Sequence, residues 1–563
     1  MSTATVWDTS YGHPVPWRTS FEALSLPEML ARTAARMPQA SCIDFLGRIF
    51  TYEAVARLVD RAAEGFRRLG VTKGVKVGLF LPNCPQYVVA YYGAMKAGGT
   101  VVNFSPLYTA DELAAQVEDS ETDIMVCLDV AQLYPTIARV LGTTRLRTLV
   151  VGNIAEALPR GKAMLYRLFK ARERSKVVPD AAHVTFKALL ANDGLKAPPA
   201  IDPHEDIAVL QYTGGTTGTP KGAVLTHANM SINAQQVDAI DPQRNAEDRI
   251  LGALPLFHVF ANTCVLNRTV LHGGEMVLLP KFELGQALKT IHRRRITAVP
   301  GVPTMYQAFL DHPAIEKYDL SSIRVCISGG APMPQELKAR FEAKTGATLV
   351  EGYGLTESSG VVAVNPYDGV QKPGSVGQPL PGTDIVLLDK DDPARLAAPG
   401  EPGEIAVTGP QIMRGYWNRP EETAKVFADG RLRTGDIGAI DADGYVSIVD
   451  RIKDMVIVGG FKVFPSLLEG HLYAHPAVKE ALVIGVPDAY LGERPKAFVT
   501  LQPDAYVSEA ELLAYLNGRV GKHERVVEVE IRTTLPKTMV GKLSRKELVA
   551  EERAKHAASA NAA

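Results

Sequence analysis

Residues 212–222 read Tyr-Thr-Gly-Gly-Thr-Thr-Gly-Thr-Pro-Lys-Gly, an unbroken run of small, hydroxylated and glycine residues closed by a lysine. Glycines put no Cβ between backbone N–H groups and an approaching anion. Gly214, Gly215 and Gly218 keep the backbone open, Thr213, Thr216, Thr217 and Thr219 add hydroxyl donors, and Lys221 adds a full positive charge. The chemistry this combination suits is the holding of a polyphosphate. It is not a Walker A loop, which needs Gly-Lys followed by Ser or Thr. Here Pro220 precedes Lys221, and the Gly161-Lys162, Gly521-Lys522 and Gly541-Lys542 pairs all lack the following hydroxyl residue. The competing reading, a flexible surface turn built from ordinary turn residues, sits poorly with so long a run of one chemical character.

Other segments carry complementary chemistry. Glu351-Gly352-Tyr353-Gly354-Leu355-Thr356-Glu357 flanks an aromatic ring with glycines, as a flat base lying against backbone requires, and ends on a hard carboxylate oxygen suited to Mg²⁺. Ser328-Gly329-Gly330-Ala331-Pro332 falls between an expected strand and helix, the carboxyl edge where open α/β sheets bind ligands. Thr434-Gly435-Asp436 and the later Arg451 offer a carboxylate for ribose hydroxyls, although a lone Asp after Gly is ordinarily a turn residue. Leu535–Lys542 is a second lysine-bearing loop bounded by Pro and Gly, and Ile457–Pro465 reads as strand, glycine turn, strand. His258 lies in apolar company, where a histidine is more often packed than catalytic.

These residues need a scaffold, and the hydrophobic rhythm supplies one. Expected strands at 75–81, 100–104, 123–128 and 148–151 alternate with helical periods, and a second series follows the Gly/Thr loop at 250–254, 275–279 and 323–328. A continuous helix is expected near 259–271. Near residue 375 the texture changes to short strands between Pro/Gly turns, and after Lys453 a smaller α+β unit begins. The expected fold is α/β plus α+β. It has a large N-terminal domain (1–451) of two stacked α/β subdomains and a small β-barrel-like subdomain, then a small mobile C-terminal α+β domain (452–563).

Bulk properties narrow the function. A formal net charge of −1 over 563 residues gives no basic field for nucleic acid, so no nucleic-acid partner is expected. Five scattered cysteines without CxxC spacing argue for reduced thiols. Residues 1–16 carry no Lys or Arg and no apolar run, and no stretch of about 18 apolar residues occurs, so a cytoplasmic protein without a spanning helix is expected. Peripheral contact with a membrane stays open, as does the choice between monomer and homodimer.

The run at 212–222 resembles the phosphate loop of adenylate-forming (AMP-binding) enzymes, departing at Gly214, where many members have Ser. The likeness extends over about 45–548 with the motifs in order and is of the acyl-CoA synthetase, fatty-acid–CoA ligase type. It implies a two-step reaction: a carboxylate and ATP give acyl-adenylate and pyrophosphate, then coenzyme A displaces AMP. By resemblance, Gly330, Ala331, Gly352, Tyr353 and Gly354 hold adenine, and Thr356 meets phosphate. Glu357 and Thr213 hold Mg²⁺, Asp436 grips ribose with Arg451, and Lys542 is the catalytic lysine. His258 stands at the mouth of an acyl pocket with Val259, Val302 and Gly329. Gly459, Gly460 and Lys462 line the coenzyme A side, and Lys453 is the hinge. One departure is Leu467, where many members carry an acid; it implies altered domain packing.

Residues Gly252–Gly273 contain no Asp or Glu, which disfavours amino-acid substrates, and Val259–Leu266 is mostly apolar, which favours a medium- or long-chain aliphatic acid. Arg268 is expected to be exposed or structurally paired, with a smaller chance of meeting the far carboxylate of a diacid. Alternatives are a dicarboxylate or aromatic acid–CoA ligase, a ligase loading a carrier protein, a luciferase-type oxygenase, or a catalytically silent nucleotide-binding scaffold.

Overall fold

The computed structural model describes residues 5–177, 180–213, 220–244, 247–390, 392–459, 461–488, 490–538 and 543–562. The first α/β rhythm becomes a seven-stranded sheet whose centre is Lys76–Leu79, flanked by Thr100–Asn103 and Thr122–Leu128, all parallel. Its last two strands, Ile207–Tyr212 and Gly222–Thr226, form an antiparallel pair with Tyr212 opposite Gly222, so the Gly/Thr loop leaves and re-enters the sheet through adjacent strands.

The second series becomes a nine-stranded sheet. Its parallel centre runs through Arg249–Gly252, Ala298–Gly301, Val325–Gly329 and Thr348–Tyr353. The sequence rhythm missed several contributions: Ala298–Gly301 inside the sheet, Ala363–Val364 and Gln378–Pro379 at one edge, and Ser41–Phe45 and Arg48–Thr51, from the N-terminal segment, at the other. Near-continuous apolar strands suit sheets covered on both faces, and all four residues of Lys76–Leu79, Thr100–Asn103 and Glu275–Leu278 are buried.

Between the sheets lies the helix Pro85–Lys96, buried along nearly its whole length. It is not purely apolar. Tyr87 donates to Asn103 Oδ1 at 2.7 Å, Tyr91 to Asn262 Oδ1 at 2.8 Å and Tyr92 to Asn267 Oδ1 at 2.9 Å. Buried hydroxyls must find such partners. Their acceptors explain a departure from the expected continuous helix at 259–271: residues Asn262–Asn267 form a π turn. The wider turn lets two asparagines five residues apart sit together, Asn267 Nδ2 donating to Asn262 Oδ1 at 2.9 Å.

A five-stranded sheet follows, built from Asp384–Leu388, Gly403–Thr408, Phe427–Ala428, Arg431–Ile440 and Val446–Arg451, all its pairs antiparallel. The last unit pairs the long strands Val478–Asp488 and Gly492–Leu501 and has its own core of Val456, Leu468, Val483, Val499 and Leu512. All five cysteines are buried and unpaired. Among the described residues no helix is long and apolar enough to cross a membrane.

Candidate active site

The carboxyl edge of the nine-stranded sheet, the five-stranded sheet and one face of the C-terminal unit enclose a cleft of ≈ 1950 Å³. Strand register builds one side of it. Asp436 and Arg451 are directly opposed across an antiparallel pair, which brings Arg451 Nε to 3.2 Å from Asp436 Oδ1. Tyr353, the last residue of its strand, donates its hydroxyl to Asp436 Oδ2 at 2.6 Å. Burial, then the Asp436 charge, pushes the Tyr353 pKa well up, so its hydroxyl stays a proton donor. Two glycines are demanded by geometry: Gly330 sits at φ +82°, and a Cβ on Gly354 would lie 2.1 Å from the Gly360 carbonyl oxygen. Ala331, Gly352 and Thr356 line the same wall.

Glu357 lies in the short turn Thr356–Ser358, its carbonyl accepting from Met413 N–H at 2.8 Å. Its Oε1 accepts the Tyr416 hydroxyl at 2.6 Å. Among the described residues nothing donates to Oε2, which leaves a hard oxygen of the kind Mg²⁺ takes alongside phosphates. Tyr416 also carries the Lys221 ammonium 5.2 Å from its ring centroid, and Lys221 pairs with Glu422. Tyr416 and Glu422 had no assigned chemistry in the sequence, although the Gly415–Glu422 stretch displays an aromatic pair and a proline-started acidic helix. Thr213 lines the cleft and donates its N–H to the Lys221 carbonyl at 3.0 Å, tying the base of the Gly/Thr loop. Gly214, Gly215, Thr216, Thr217, Gly218 and Thr219 lie outside the described residues, as do Gly460 and Lys542.

Glu351 is a second group the sequence reading left without a role. It lines the cleft, accepts Met333 N–H at 3.1 Å, and burial pushes its pKa up to about 7.

Another wall is largely apolar. His258, Val259, Val302 and Gly329 all line the cleft, and the Gly329 backbone passes so close to the Phe260 ring that a Cβ would sit 3.2 Å from it. His258 Nδ1 accepts Phe260 N–H at 3.3 Å and caps the helix that forms this wall. Arg268 is not on the cleft. It is buried and bonds Asp241 Oδ2 at 2.8 Å, with Arg324 on the same carboxylate at 2.8 and 2.9 Å. Of the two expected alternatives, exposure and structural pairing, the structure shows the pairing: a guanidinium on a buried helix face needs a counter-charge. Burial pushes Asp241 up, but the two guanidiniums outweigh it and hold the carboxyl below the ordinary range.

From the C-terminal unit the cleft receives Lys537, Thr538, Leu543 and Ser544, the described flanks of position 542. Gly459 and Lys462 are not on it: their hairpin occupies another face, where Phe461 stacks 5.2 Å from His523 and stays exposed. Leu467 is likewise exposed. Lys453 lines the cleft, and low-dielectric surroundings, then Arg451, lower its pKa. Just past it, Arg545 donates to Asp454 at 3.1 Å, Glu469 at 2.6 Å and the Val483 carbonyl at 3.1 Å.

The family model of the AMP-binding enzyme matches residues 30–417, and that of its C-terminal domain matches 467–542. The chain belongs to the AMP-binding enzyme family. A long-chain-fatty-acid–CoA ligase of Bacillus subtilis (strain 168) is 41% identical over 555 residues, covering 98% of each chain. Among solved structures, ATP-bound MatB from Rhodopseudomonas palustris is 29% identical with a TM-score of 0.82, covering 94% of this chain and 99% of its own. The anthranilate–CoA ligase AuaEII in complex with anthranoyl-AMP is 27% identical with a TM-score of 0.84, covering 95% and 98%. In this AMP-binding enzyme the tyrosine–carboxylate pairs and the apolar wall face one cleft.

Proposed function

We propose that this AMP-binding enzyme is an acid–thiol ligase that converts a long-chain aliphatic carboxylate, through its acyl-adenylate, into the coenzyme A thioester. The observation that carries the reading is one cleft joining the Tyr353–Asp436–Arg451 constellation to an acid-free apolar wall. The full-length likeness to a long-chain-fatty-acid–CoA ligase favours the long chain.

In the first step a carboxylate oxygen attacks the α-phosphorus of ATP, the α–β bridging bond breaks, and pyrophosphate leaves. No general base is required, because a fatty acid with a pKa of about 4.3 is already ionised. The work is charge neutralisation and alignment of two anions. Asp436 and Arg451 hold the ribose, the glycine wall holds adenine, and the threonine loop with Lys221 receives the departing pyrophosphate. Glu357 and Thr213 fit Mg²⁺, which supplies charge neutralisation on the phosphates; Tyr416 orients that carboxylate. Lys542 bridges the reacting anions.

In the second step the thiol sulfur of coenzyme A attacks the acyl carbon, AMP departs, and the thiol proton passes to solvent. Rotation of the C-terminal unit about Lys453 withdraws Lys542 and brings Gly459, Gly460 and Lys462 over the adenylate. ATP–pyrophosphate exchange across fatty, aromatic and dicarboxylic acids, followed by a thioester assay with free coenzyme A, tests the substrate. Exchange driven best by a diacid or an aromatic acid would overturn it. Lys542→Ala is expected to abolish exchange yet spare thioester formation from supplied acyl-AMP; equal loss in both half-reactions would sink the division of labour.

A further inference from the structure

Far from the cleft, the helix Arg160–Phe169 displays an apolar stripe to solvent. Met164 is 59% exposed, Leu165 51%, Leu168 65% and Phe169 77%. At about 100° per residue these side chains, with Gly161, share one arc of roughly 140°. Ala163 and Tyr166 face the protein instead, buried and half-buried. Lone exposed apolar residues are ordinary, but four on one helix face form a contiguous patch of the kind that marks an interaction surface.

Charge surrounds the stripe. Lys162 borders it on one side, Arg160 and Arg167 on the other, and Lys170, Arg172 and Arg174 follow directly. Residues 160–174 hold six basic side chains and one acid, Glu173, in a chain whose net charge is −1. Arg160, Arg167 and Arg172 are exposed, while Arg174 is committed to Asp129 at 2.9 Å. A shallow depression of ≈ 540 Å³ beside the helix has a similar balance, with Arg48, Arg160 and Arg167 against the single acid Glu156 around Ala163, Met164 and Leu168. The helix is fastened to the body: Lys162 donates to the Leu46 carbonyl at 2.7 Å, and Arg48 donates to the Glu156 carbonyl.

We infer that Arg160–Phe169 is a membrane-docking helix that lays its apolar stripe into the surface of an anionic phospholipid bilayer, with its flanking cations on the headgroups. An apolar arc edged by Lys and Arg is the form of helix that lies in the bilayer interface. The cations select the occupant. A two-fold contact with a second copy would set this basic fringe against itself, whereas an anionic leaflet attracts each basic side chain. The inference stands apart from the reading of the cleft.

The test is flotation of the full chain with phosphatidylcholine vesicles and with vesicles that also contain phosphatidylglycerol. Binding is expected only to the anionic vesicles and should be released by high salt. Leu165→Glu/Phe169→Glu should abolish it, and Arg160→Gln/Arg167→Gln/Arg172→Gln should weaken it about a hundredfold. Both variants should keep the parent's thermal melt and its ATP–pyrophosphate exchange with a short, freely soluble acid. A milder variant, Phe169→Trp, should show a blue-shifted emission on anionic vesicles. Equal binding to both vesicle types, undiminished binding by either multiple variant, or an unshifted emission from the Phe169→Trp variant would overturn the proposal. So would a dimer in sedimentation that Leu165→Glu/Phe169→Glu dissociates without any effect on flotation.

Discussion

Two charged constellations in the body use nearly the same parts. One joins Asp436 to Arg451 and Tyr353; the other joins Asp241 to Arg268 and Arg324. Both carboxylates are buried, yet their partners differ in what lies beyond them. Arg451 is exposed on the cleft, so the first set can exchange a protein contact for a ligand hydroxyl. Arg268 is buried away from the cleft, and the second set's further partners, Asp248 on Arg324 and Asp238 near Arg268, are protein carboxylates too, so it has no ligand to turn to. A buried charge is therefore read by the access of its partner rather than by its own burial. The sealed set costs stability when broken; the open set costs affinity.

The sharpest way to break this contrast is Asp241→Ala. It removes the carboxylate two guanidiniums share, leaving Arg324 on Asp248 and the buried Arg268 with only Asp238 at 3.6 Å; breaking a buried pair costs up to about 3–5 kcal/mol. Denaturant unfolding should show that loss, while ATP–pyrophosphate exchange per folded molecule stays near the parent's. A large rise in the KM for ATP instead would merge the two constellations.

Glu351 tests an intermediate case, since it lines the cleft and is half-buried. Its folded-state pKa of about 7 lies above the ordinary 4.5, so the folded form holds its proton where the unfolded form has lost it. The stability contributed by Glu351 should be fully present below about pH 4.5 and be lost as the pH rises through about 7, by up to about 3 kcal/mol. Glu351→Gln should flatten that part of the profile, measured by denaturant unfolding across the range. An unchanged slope would remove Glu351 from the account.

On the open side, Asp436→Asn retains an acceptor for Tyr353 but loses the charge. The KM for ATP should rise about tenfold to thirtyfold, with little change in melting temperature. A matching loss of stability would place Asp436 with Asp241. Smallest is Tyr416→Phe, which deletes one hydroxyl donated to Glu357. The Mg²⁺ concentration for half-maximal exchange should rise about threefold to tenfold; an unchanged requirement would reduce Tyr416 to packing.

The α/β rhythm was legible because strands buried on both faces leave apolar runs that need no tertiary knowledge. The Ser41–Thr51 pair was not, since which sheet an edge strand joins depends on the chain's path. Of the cleft side chains, Tyr353 was legible because glycines on both sides of it mark where a flat ring can lie against backbone; Glu357 and Asp436 were legible chiefly through the resemblance, since a lone Asp after Gly is ordinarily a turn residue. Tyr416, Glu422 and Glu351 were hidden: a tyrosine that orients a carboxylate needs no spacing signature, only a strand running beside Gly222. The π turn was equally hidden, because it answers to tyrosines on another helix.

Arg545 has a mechanical consequence. By bonding Asp454, Glu469 and the Val483 carbonyl at once, it welds the segment after Lys453, a helix and a strand to the start of the terminal helix, three residues from Lys542. Under the proposed rotation about Lys453, the C-terminal unit would move as a stiff lever. Torque entering at the linker would reach the start of the terminal helix with little slack, so the proposed arrival and withdrawal of the lysine would reduce to a single angular coordinate.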